Sequence, residues 1–130
     1  MTRLRTVILD MQSGLYAGTV RRALVQELTE YQVVISPKPE ETAAACRLLK
    51  PYALLLEVTG YTPWDLEERL KIRESVRRDV PECRIVLIVD EIADRKLAEE
   101  VKKAKQNGLV DAFLFASASE SYLAAMLDSL

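Results

Sequence analysis

Five short apolar runs punctuate the chain, and each is followed by a stretch with helical periodicity. The runs are Thr6–Asp10, Gln32–Ile35, Tyr52–Glu57, Arg84–Asp90 and Asp111–Ala116. Near-continuous apolar runs of this length, bounded by turn residues, predict strands buried on both faces of a parallel sheet. Between them, Ala17, Val20, Leu24 and Leu28 recur at helical spacing after Ser13 and Gly14, predicting a helix that ends near Glu30. Glu40 and Glu41 suit the first turn of a second helix, with Ala45, Leu48 and Leu49 on its apolar side and Pro51 as its stop. A third helix is expected to start at Thr62 as cap, with Pro63 at its first position and Asp65 as the reciprocal acid, and to run to about Asp79. Its dense charge reads as a solvated face, with Glu67–Lys71 and Glu74–Arg78 spaced as exposed pairs. Asp94 caps a fourth helix carrying Leu97, Val101 and Ala104, which Gly108 closes in the left-handed conformation. Ser117 and Glu120 read as a capping box before Leu123, Met126, Leu127 and Leu130, the sharpest amphipathic stripe in the chain. Strict alternation of strand and helix with short connections predicts a parallel sheet covered by helices on both faces.

At 130 residues the chain is long enough for one domain with a sizeable core, read here as a single unit over 1–130. Eighteen basic and 20 acidic side chains leave a net charge of −2, so no basic field draws nucleic acid or an anionic membrane. No apolar run approaches the ~20 residues of a membrane span, and the basic start Met1–Arg5 leads into too short a run for a signal peptide. Cys46 and Cys83 form no CxxC pair and read as small core residues in a reducing cytoplasm. The chain contains no histidine, which removes the commonest general base and any histidine-ligated cofactor. Thr59-Gly60-Tyr61-Thr62 has one glycine and no P-loop lysine, so it reads as a turn.

Strands one and three end in Asp10 and Glu57, and five strand–helix units fill the length. With these features the whole chain resembles the receiver domain of bacterial two-component response regulators. The resemblance implies a CheY-like, flavodoxin-like (βα)5 α/β fold, a doubly wound parallel sheet of strand order 2-1-3-4-5. Asp10 and Glu57 would then be neighbours at the switch point, where such sheets place their chemistry. It also implies a set of parts: an aspartate ending strand three that accepts a phosphoryl group, an acid pair after strand one that holds Mg²⁺ with it, a hydroxyl ending strand four, and a lysine ending strand five.

The chain departs from nearly all of them. The acceptor position is Glu57, the acid pair reads Asp10-Met11 with Gln12 supplying no charge, the hydroxyl position falls at Val89, and the lysine position falls at Phe115, followed by Ala116. Two losses hold in any register: no Ser or Thr lies between Ser75 and Ser117, and no Lys or Arg follows Lys105. A glutamate carries its carboxylate one methylene further out, and misplacing a reacting atom by ~1 Å costs on the order of a hundredfold in rate. These parts act as a unit, so the expectation is a degenerate receiver, or pseudo-receiver, with no catalytic residue and no aspartyl phosphorylation.

Glu57 has three readings: a standing mimic of a phosphorylated aspartate, a low-affinity Mg²⁺ ligand with Asp10, or an ordinary solvated acid at a strand end. The third is preferred, because nothing in the crevice would read the negative charge. Asp90 is either a third acid there or the start of a turn with Glu91, and the turn is preferred. Converging acids would raise one another's pKa unless a cation lay among them, which keeps weak Mg²⁺ binding open. Phe113 and Phe115 read most simply as core packing; the alternative is Phe115 as a plug for the crevice that the lysine fills in the family. No cofactor and no enzyme activity are expected. The resemblance implies that the last two helices and the fifth strand, with Lys96, Glu99, Lys103 and Tyr122 around an apolar seam, bind a protein partner or a second copy. The alternatives are a working phosphoacceptor and a flavodoxin-like small-molecule binder.

Overall fold

The apolar runs become strands and the periodic stretches become helices. The computed structural model describes residues 4–27 and 30–130. In chain order the elements are β1 (Arg5–Asp10), α1 (Gly14–Glu27), β2 (Tyr31–Ile35), α2 (Pro39–Leu49), β3 (Ala53–Val58), α3 (Leu66–Asp79), β4 (Arg84–Val89), α4 (Arg95–Gln106), β5 (Ala112–Phe115) and α5 (Glu120–Asp128). All strand pairs are parallel, and the sheet order is β2-β1-β3-β4-β5, the order expected from the sequence. Leu28, the last position of the expected first stripe, lies outside the described residues, as do residues 1–3.

Alternation along each strand splits the core into two layers. Ile8, Leu54, Leu56, Ile85 and Leu87 pack beneath α2, α3 and α4. Leu9, Leu55, Val86 and Ile88 pack beneath α1 and α5, against Leu24 and Leu127. The central strand is the most protected: Ala53 to Leu56 are each 0% exposed. That is why it reads as an unbroken apolar run and not as an alternating one.

The helix ends are partly as expected. Asp94 accepts from the Leu97 amide at 3.0 Å, and Gly108 sits just past the end of α4 at φ +74°, a conformation that costs a side chain with a Cβ. Two caps differ. Thr62 and Pro63 lie in the loop before α3, where the Trp64 amide donates to the Tyr61 carbonyl at 2.7 Å, and Asp65 takes the cap position without a side-chain bond. Ser119 caps α5 by accepting from the Tyr122 amide at 3.1 Å, whereas Ser117 donates to Glu91. Ser119 wins because it directly precedes the first helical residue, where its oxygen can reach the third amide.

The charge on α3 is not all solvated, contrary to the expectation. Arg69 is 0% exposed. Arg77 pairs with Asp111 at 2.8 Å, and Lys71 pairs with Glu68 at 2.9 Å in place of Glu67.

Candidate functional site

The sheet order puts the ends of β1 and β3 side by side, with Asp10 in register with Leu56. The pleat decides where each acid points. Asp10 follows Ile8 onto the side covered by α2 and α3, while Glu57 follows Leu55 onto the α1 side. The two acids are strand neighbours, yet their carboxylates are held by different partners and do not converge, which corrects the expected acid pair.

Asp10 is 1% exposed, and the fold supplies its cation from within. Arg69, in the first turns of α3, reaches over the end of β1: its Nη1 donates to Asp10 Oδ2 at 2.8 Å, its Nη2 to the Asp10 carbonyl at 2.9 Å, and its Nε to the Glu57 carbonyl at 2.8 Å. Thr42 of α2 donates to the same carboxylate at 2.6 Å, and Ser36 and Thr42 hydrogen-bond at 2.8 Å. A buried charge pair is tolerable when hydrogen bonds support it, and here α2 and α3 each donate to Asp10 Oδ2. The expectation that no basic group or alcohol reaches the switch point is therefore overturned. Yet the guanidinium is turned onto Asp10 and the backbone, away from the crevice, and has no exposed donor to offer a phosphoryl group.

Glu57 is half-buried and is not a free solvated acid. Its Oε1 accepts from the Gln12 amide at 2.8 Å and the Ser13 amide at 3.4 Å, at the positive end of α1. Gln12 thus contributes through its backbone. Met11, at the second acid position, is 8% exposed and joins the apolar layer under α1 and α5. Asp90 accepts from the Ile92 and Ala93 amides at 3.1 and 3.0 Å, which makes it a turn acid. Val89 is buried between Val58 and Phe115 in register. Phe115 does not plug the crevice; its ring packs tilted against Phe113, with centroids 5.6 Å apart, on the α4 side.

What remains is a crevice of about 580 Å³, with Gln12, Glu57, Thr59, Tyr61, Val89 and Asp90 among its walls. Among the described residues no Lys or Arg lines it. Tyr16 is nearby, its phenol pushed above the usual range by burial first and then by Glu57, Asp90 and Glu91. The crevice is acidic at its floor, so an incoming phosphate dianion meets like charge. No group of three or more His, Cys, Asp or Glu among the described residues is arranged to hold a metal ion.

Arg69 escaped sequence reasoning. A charged helix residue reads as solvated. The available signal was spacing: Arg69 lies two turns before Val76, and these two are the buried residues of α3.

No family model matches the chain, and neither does any curated relative. Solved structures do match by fold. A response regulator from Thermotoga maritima is similar at TM-score 0.74 and 17% identity, covering 97% of this chain and 96% of that one. A CheY-like response regulator receiver domain from Methanospirillum hungatei JF-1 reaches TM-score 0.77 at 13% identity, with 97% and 92% covered. The signal receiver domain of the putative response regulator NarL from Mycobacterium tuberculosis reaches 0.72 at 19%, with 98% and 96% covered.

Proposed function

We propose that this chain, which has the fold of response regulator receiver domains, is a receiver-like signalling module of a two-component phosphorelay that works by protein contact and not by aspartyl phosphorylation. One observation carries the reading: Asp10, the acid the resemblance assigns to a divalent cation, is engaged by the buried Arg69 guanidinium at 2.8 Å. The internal cation does the charge compensation that Mg²⁺ does in phosphoryl transfer, but it presents no open coordination position for a phosphoryl oxygen. Met11 supplies no second ligand, and Glu57 is drawn to the start of α1. Incubation with acetyl phosphate and Mg²⁺ followed by intact mass measurement tests this. The expected spectrum is unchanged, and a stoichiometric gain of one phosphoryl group on Glu57 or elsewhere would restore the working-phosphoacceptor reading.

The contact surface in this proposal is α4, β5 and α5. β5 is an edge strand with one side unpaired, which offers backbone donors and acceptors to a partner. Beside it Phe113, Phe115, Tyr122 and Met126 line an open cavity of about 600 Å³, and Tyr122 is 60% exposed. The α4 charge on the cavity wall is Lys105, while Lys96, Glu99 and Lys103 add charge elsewhere on α4, suited to orienting a protein partner or a second copy. Light scattering across a concentration series is expected to show self-association that Tyr122→Glu abolishes; a monomer at every concentration would restrict the surface to other proteins. Among the described residues no helix is long and apolar enough to cross a membrane. The cytoplasm, where the two free cysteines stay reduced at rest, is the compartment this reading assigns.

A further inference from the structure

Among the described residues the sheet ends in two open edges, β2 and β5. Neither Tyr31–Ile35 nor Ala112–Phe115 contains a charged residue or a proline, the devices that commonly keep an edge from pairing. The Arg5 amide donates to the Glu30 carbonyl at 2.9 Å and the Ser36 amide to the Leu9 carbonyl at 2.8 Å, so the even positions of β2 face β1. The backbone groups of Tyr31, Val33 and Ile35 therefore face outwards. On β5 the Ala116 amide donates to the Val89 carbonyl at 2.9 Å, and the same alternation turns the backbone of Phe113 and Phe115 outwards. Exposed apolar side chains lie at both edges, Ile35 on β2 and Tyr122 on the cavity beside β5.

We propose that the occupant of the α4–β5–α5 surface is the β2 edge of a second copy of this chain, joined strand to strand in parallel so that copies add head to tail. The inference rests on the contact reading above and names the partner of that surface. Charge selects the orientation. Parallel pairing keeps the faces of the two sheets in line, with α2 of the second copy beside α4 and its α1 beside α5. On α2, Glu40 and Ala43 mark the side nearest α3, and Glu41 lies on the side away from it, towards the open edge of β2. Glu30, just before β2, falls on the same face as Val34. These acids meet Arg95 and Lys105, at the two ends of the α4 side nearest β5. On the other face α1 brings Arg21 and Arg22 towards α5, whose charges are Glu120 and Asp128 alone. Antiparallel pairing would turn the second copy over and set the acids of α2 against those of α5.

The backbone groups match in number and direction. The Phe113 amide donates to the Tyr31 carbonyl of the second copy, its carbonyl accepts from the Val33 amide, and the Phe115 amide donates to the Val33 carbonyl. The Phe115 carbonyl keeps its bond from the Ala118 amide at 3.0 Å. In this register Phe115 lies opposite Val34, and both side chains belong to the layer under α2, α3 and α4. Ile35 follows Val33 onto the other face, where it comes against Tyr122. The interface is heterologous: each copy uses its β5 side once and its β2 side once. Nothing closes the series, so assemblies lengthen as concentration rises.

Light scattering over a concentration series tests this with the wild type and two edge variants. The wild-type mass is expected to keep rising past that of a dimer. Tyr122→Glu blocks the β5 side and Ile35→Glu the β2 side, both at exposed positions, and each variant alone is expected to stay monomeric. An equimolar mixture of the two is expected to form a dimer and stop there, because one intact β5 side meets one intact β2 side. Glu30→Lys is expected to weaken wild-type association roughly tenfold, and Lys105→Glu added to it to restore the loss. A mixture that stays monomeric, a charge swap without recovery, or a wild-type mass that stops at the dimer would each overturn the head-to-tail pairing. So would an Ile35→Glu variant that associates as the wild type does. If Tyr122→Glu is monomeric in those last two cases, the α4–β5–α5 contact stands and only its β2 partner is lost. A wild type that is monomeric throughout overturns the pairing and leaves that surface to other proteins.

Discussion

Arg69→Met is expected to destabilise the domain by about 3–5 kcal/mol in urea unfolding, a large share of the total stability of a domain this size. Methionine fills much of the same space, so the loss is electrostatic. It leaves Asp10, 1% exposed, with Thr42 as its donor and no countercharge. It also removes the donors to the Asp10 and Glu57 carbonyls, which tie α3 to the ends of β1 and β3. The diagnostic measurement is the double variant Asp10→Leu/Arg69→Met. Taking out both charges together removes the desolvation cost of each, so most of the lost stability should return, as it does where apolar residues replace buried ion pairs elsewhere. A single variant within 1 kcal/mol of the parent, or a double variant no better than the single, would show that the pair does not behave as a buried, mutually dependent unit.

The same residue marks the limit of what the chain announces about itself. The strands were legible because burial on both faces leaves no room for polar positions: Leu54, Leu55 and Leu56 are each fully enclosed. The sheet order came from the resemblance, and the register of β1 with β3 agrees with it. Asp94 was legible as a cap because its bond is local. Ser117 was misread because it and Ser119 both precede an acid and an apolar stripe, and only the chain path into α5 chooses between them. Arg69 was invisible for a deeper reason. Its partner is 59 residues away, and a lone arginine on a charged helix gives no sign that a carboxylate waits beneath it. Side-chain direction was the other blind spot. Strand order places Asp10 beside β3, but only the pleat sends Asp10 and Glu57 to opposite layers.

That opposition makes two neighbouring leucines unequal. Leu55→Ala is expected to cost about 4–5 kcal/mol and Leu56→Ala about 1–2 kcal/mol less, although both side chains are 0% exposed and lose the same atoms. Leu55 lies in register with Leu9 and Val86, and its layer is apolar up to Leu24 and Leu127. A cavity there offers water no partner and stays empty, so the full loss of contacts is felt. Leu56 lies in register with Asp10 and shares its side of the sheet. A cavity there opens beside the carboxylate, Arg69 and Thr42, where one water can find the two or more polar partners it needs. Hydration recovers part of the loss, and it also gives the buried charges a better solvated surrounding. Urea unfolding of the two variants side by side checks the order. If Leu56→Ala proves equal to or worse than Leu55→Ala, the network at the end of β1 is too tightly closed to admit water, and its charges depend on protein partners alone.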